Sequence, residues 1–105
     1  MTGVKFLFEN KTVNGFSISG HSTKDYSDTE GKLVCSAVSS AAIMTANTVT
    51  EIIGDKADIK LNDGEMYFRV DNPSKDTVNL LLGFKLHMTE LAKQYSDNLR
   101  VYSEV

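Results

Sequence analysis

The sequence holds one thiol, Cys35, and two imidazoles, His21 and His87. A thiolate is a strong nucleophile toward a carbonyl carbon, and an imidazole can hand a proton to a leaving amine near neutral pH. His21 follows Gly20 at the end of a predicted strand. Cys35 falls in the first turn of a predicted helix, and the polar segment Ser22–Gly31 lies between them. At a helix start the free N–H groups carry partial positive charge, which favours the thiolate over the thiol. Such a group, for example that of Ser36, could also face a developing oxyanion. Strand end, loop and helix start could thus supply nucleophile, acid/base and oxyanion donor together. The same residues have plainer readings. A single Cys on an apolar helix face is more often an inert small hydrophobe, and a His after a strand-ending Gly is more often a solvated loop residue. Spacing alone leaves both readings open.

The rest of the composition narrows the choice mainly by exclusion. One Cys among 105 residues excludes an internal disulfide and a zinc site built on thiolates. Two His leave no room for a multi-histidine metal site. His87 lies between Leu86 and Met88 with only Glu90 at helical spacing, and reads as a helix-face residue. Asp25, Asp28 and Glu30 lack the regular alternation of a calcium loop. Gly15 and Gly20 lack phosphate-loop spacing. The net charge of −3 argues against a nucleic-acid binder relying on bulk positive charge. Lys5, Lys11, Lys56, Lys60 and Arg69 are dispersed.

These residues need elements to position them. Val4–Asn10 and Phe16–His21 read as a hairpin of two strands joined by a turn over Lys11–Gly15. Ser22–Gly31 reads as a mobile surface loop. Leu33–Ile53 reads as a helix with Gly54 as its C-cap. Its apolar positions are Leu33, Ala37, Ala41, Met44, Thr48 and Ile52, joined by Val34, Val38, Ala42, Thr45 and Val49. So wide an apolar face predicts a sheet on one side and another element on the other. Ala57–Asn62 and Glu65–Val70 form a second hairpin around Asp63-Gly64. A second helix runs over Asp76–Ser96, with Val78, Leu81, Leu82, Met88, Leu91, Ala92 and Tyr95 on one face. Gly83 within it marks a close contact, and Leu99–Val105 is a final strand. The fold class is α+β: a mostly antiparallel sheet packed with two helices in the order β-β-α-β-β-α-β, as one domain. Leu33–Thr50 is the longest uncharged stretch, but its Ser, Thr and Asn content predicts a soluble helix rather than a membrane span. The N-terminus has no signal-peptide pattern, and a lone thiol fits a reducing cytoplasm.

Gly20-His21, a short acidic loop, Gly31, and the run Leu33-Val34-Cys35-Ser36-Ala37-Val38-Ser39 resemble the signature of the ribosomal-processing cysteine proteases, the Prp family. The order of elements fits as well. The resemblance implies a cytoplasmic, homodimeric cysteine endopeptidase that uses a Cys–His dyad and needs no metal or organic cofactor. Its substrate would be the precursor of ribosomal large-subunit protein twenty-seven, from which it removes an N-terminal extension. Carried over by motif, Cys35 is the nucleophile and His21 the acid/base. Ser39 helps to shape the site, and Gly20 is the glycine of the Gly-His pair. Lys32 stands where the family usually carries Asp, and Ser36 where it usually carries Ala. No membrane partner and no direct nucleic-acid binding are expected. Two other classes remain as alternatives: a non-catalytic ribosome-associated binding module, and a thiol redox sensor that would need an intermolecular partner for want of a second Cys.

Overall fold

Two strands of alternating apolar and polar residues, β1 (Thr2–Glu9) and β2 (Thr12–Ser19), form the first hairpin in the computed structural model, which describes residues 1–21 and 27–104. Their turn is Asn10-Lys11, with φ of 51° and 67°. Positive φ at both central residues is what a tight hairpin turn requires. The turn therefore lies earlier than Lys11–Gly15. Gly15 is a strand residue opposite Leu7 and Arg69.

The remaining elements are helix α1 (Thr29–Asn47), a π-helical turn that continues it (Thr48–Ile53), β3 (Asp58–Asn62), β4 (Glu65–Arg69), α2 (Lys75–Gln94) and β5 (Leu99–Glu104). The order is the expected β-β-α-β-β-α-β. The five strands lie in the order β3-β4-β2-β1-β5. Three pairings are antiparallel; β5 returns beside β1 in parallel, so the sheet is mixed. The parallel pairing follows from α2, which carries the chain back across the sheet before β5 begins. Of the expected loop, residues 22–26 lie outside the described residues.

Helix α1 starts four residues earlier than its apolar pattern predicts. Asp28 is the N-cap: its Oδ1 accepts from Gly31 N at 2.9 Å, satisfying one donor of the first turn. At the other end Gly54 closes the helix in the left-handed conformation, as expected. The hydroxyls of Thr45, Thr48 and Thr50 donate to the carbonyls of Ala41, Met44 and Ala46. Such back-bonding competes with the helical ladder where it widens into the π-turn. One described helical stretch, Thr29–Ile53, is long and apolar enough to cross a membrane by length and composition. Its Val34, Val38, Ala42, Thr45 and Val49 are buried against the sheet.

On the other face of α1 and its π-helical turn, Leu33, Ile43, Met44 and Ile52 are exposed, so among the described residues no second layer covers it. The expectation of an element covering both sides is thus corrected; α2 touches α1 but leaves these residues exposed. Phe84, Leu81 and Met88 of α2 enter the core, whereas Leu82 is exposed. A β-carbon on Gly83 would meet nothing within 4 Å outside its own helix turn, so among the described residues this glycine marks no close contact. Four rings hold the centre. Phe16 meets Phe84 edge-on at 4.7 Å and stacks on Phe68 at 5.3 Å, while Phe6 meets Phe84 at 5.5 Å. Each such pair contributes about 0.5–1.5 kcal/mol beyond the area it buries.

Candidate active site

The strand end that carries His21 is held by backbone contacts that admit only glycine. Gly20 has φ +87°, and a β-carbon there would stand 2.3 Å from the carbonyl oxygen of Met1. Its N–H donates to the carbonyl of Gly64 at 3.1 Å. Gly64 is the second residue of the β3–β4 turn, with φ +75°. The exposed His21 therefore leaves the sheet beside this turn. A β-carbon on Gly64 would lie 3.0 Å from His21 Nε2 and 3.3 Å from Cε1.

Cys35 is half-buried on α1 between the buried Val34 and Val38. Because α1 begins at Thr29, Cys35 lies in its second turn, not its first. The charge of a helix start decays within the first turn, and backbone N–H groups beyond it are taken up by the helical ladder. The expected assistance to Cys35 from free N–H groups, and the use of the Ser36 N–H as an oxyanion donor, are corrected accordingly. Ser39 is one helical turn beyond Cys35, on the same side of the helix, and is exposed. Lys32 is exposed one turn before Cys35.

Beside this side of α1 runs an apolar groove of about 490 Å³. It exists because the sheet is wider than the helical layer. Edge strand β3 extends past α1, so Ile59 and Leu61 point to the helical side yet remain 45% and 70% exposed. With Ile18, Ile43 and Met66 they form an open apolar channel. Ser39 and Gly64 both line it. One groove is thus bordered by the residue one turn from Cys35 and by the residue against His21. A second cavity, about 360 Å³ on the open face of the sheet, is lined by Lys5, Glu9, Tyr67, Arg69 and Glu104 and by no Cys or His. His87 is exposed on α2, away from both. Among the described residues no three His, Cys, Asp or Glu side chains gather as metal ligands.

Gly64 and the groove-lining Leu61 carry no functional signal in the sequence, where Asp63-Gly64 reads as a turn only. It is the strand order β3-β4-β2 that brings the turn to the end of β2.

No curated protein matches the chain. Solved structures share its fold. A Streptococcus mutans protein, SMU.848, has TM-score 0.85 at 18% identity over 98% of this chain and 93% of its own. The essential ribosomal processing protease Prp from S. aureus matches in two complexes. With a substrate peptide the TM-score is 0.87 at 18% identity, and with a covalently linked product peptide it is 0.86 at 19%. Both cover 99% of this chain and 100% of their own. The sequence itself matches the family Cysteine protease Prp over residues 1–100. The chain belongs to that family of cysteine proteases.

Proposed function

We propose that the protein is a ribosomal-processing endopeptidase in which Cys35 attacks the scissile carbonyl and His21 carries the proton. His21 takes the thiol proton, and the thiolate adds to the peptide carbonyl. The imidazolium then protonates the departing amine, leaving a thioester. His21 next takes a proton from water, which attacks the thioester and releases the thiol. The observation that carries this reading is the single groove bordered by both Ser39 and Gly64, neighbours of the two reacting side chains. An extended peptide laid along it would bury apolar side chains on Ile59 and Leu61 beside the nucleophile. Ser39 shapes the end of the groove nearest Cys35, and Gly20 fixes the wall that carries His21.

The substrate is the precursor of ribosomal large-subunit protein twenty-seven, cut at the junction of its N-terminal extension. The fold shared with the S. aureus Prp complexes, in which a peptide is bound, supports a peptide substrate. A net charge of −3 suits a basic ribosomal protein. The chemistry is confined to the cytoplasm, where the thiol stays reduced. A second copy packs on the helical layer, where Leu82 and Leu86 flank the open Gly83. Cleavage of a peptide spanning the junction tests the reading. Cys35→Ala is expected to abolish cleavage, and His21→Ala to slow it by about 10²–10⁴-fold, with folding unchanged. Undiminished cleavage by Cys35→Ala would refute it, and binding of the peptide without any cleavage by the wild type would leave a binding module.

A further inference from the structure

We infer that Gly64, on the β3–β4 turn, is a positioning residue for the reaction: it seats the imidazole of His21 beside the groove. This rests on His21 as the acid/base, and three observations carry it. First, the ring edge formed by Nε2 and Cε1 occupies the space that any side chain at residue 64 would claim, at 3.0 and 3.3 Å from a β-carbon. Second, the Gly64 carbonyl accepts from the N–H of Gly20, the residue immediately before His21. The turn therefore holds both the backbone that launches the imidazole and the face on which the ring rests. Third, Gly64 also lines the groove, so the same residue sets the ring's place relative to whatever the groove holds.

Any residue larger than glycine at position 64 displaces the ring by a few tenths of an ångström. The imidazole is the end of a flexible side chain, so it yields while the fold persists. Proton transfer is sensitive to displacements on this scale, since misplacement by about 1 Å costs on the order of 10²-fold. Gly64→Ala is expected to lower kcat on the order of tenfold.

Backbone strain is the competing cause, and two further variants separate it. Gly54 has φ +91° with nothing within 4 Å of a β-carbon, so Gly54→Ala imposes the same strain without touching the site and leaves kcat unchanged. Asn tolerates positive φ better than Ala. Gly64→Asn therefore folds more readily than Gly64→Ala but displaces the ring at least as far, and its kcat falls at least as much. In a His21→Ala background Gly64→Ala adds no further loss, because the group it positions is gone. Recovery of kcat in Gly64→Asn, or a full additional loss in the His21→Ala background, would overturn the inference.

A readout independent of cleavage is the pair of His21 ring C–H resonances by NMR. They shift in both Gly64 variants and stay in place in Gly54→Ala. If they shift as expected but the wild-type protein does not cleave the junction peptide, the peptidase reading fails and the seat for His21 stands. If wild-type cleavage depends on Cys35 and His21 while the Gly64 variants leave resonances and kcat untouched, the seat is refuted alone.

Discussion

Asp55 Oδ2 accepts a 2.6 Å hydrogen bond from the hydroxyl of Thr77 and a 2.9 Å bond from the backbone N–H of Ser74. It thereby joins the end of the first helical stretch to the start of α2. The Thr77 hydroxyl, then the Ser74 N–H, hold the Asp55 carboxyl below its ordinary value of 3.8. A depressed carboxyl stabilises the fold above its unfolded pKa and loses that contribution as pH falls through the folded one. Asp55→Asn should lower the melting temperature at pH 7, and the gap from wild type should close as pH drops below 3.8. Thermal melts at the two pH values check the sign.

Phe16 is fully buried and contacts the rings of Phe6, Phe68 and Phe84. Phe16→Ala should cost about 3–5 kcal/mol by urea denaturation. That is a large share of the roughly 5–15 kcal/mol of a domain this size.

Leu61 lines the groove but is 70% exposed, so Leu61→Asp should leave the melting temperature nearly unchanged. If the groove holds an apolar substrate side chain, the loss is of the order of one buried leucine, about 1.5–3 kcal/mol. Steady-state kinetics should then show KM raised by about tenfold or more. Iodoacetamide labelling of Cys35 in the absence of substrate should be unaffected.

Leu86 is 63% exposed on α2 next to the open Gly83. Leu86→Glu should convert the proposed dimer to a monomer in sedimentation velocity while the circular dichroism spectrum is retained.

The elements and their order were legible because alternation in the strands, helical periodicity and the Asp63-Gly64 turn are local signals. The departures have two physical sources: the helix start is set by a local cap outside the apolar pattern, and burial by what lies across space. The apolar pattern begins at Leu33, but Asp28 caps the helix from a polar stretch, and that shift moved Cys35 out of the first turn. Leu33 and Met44 look like core residues by type, yet Val34, Val38 and Ala42 face the sheet. Cys35, His21 and Ser39 could be singled out from residue type and motif. Gly64 could not, because a glycine after Asp carries the same local signal in any hairpin.

The parallel pairing of β1 with β5 sets Thr2 opposite Leu99. During synthesis the outer edge of β1 has no partner until β5 has emerged, and such long-range closure is slow compared with local hairpins. The first hairpin and α1 can form early, but the sheet that backs the strand carrying His21 is completed last. Nascent chains should accordingly remain protease-sensitive until β5 has emerged, with the sheet sealed by that strand.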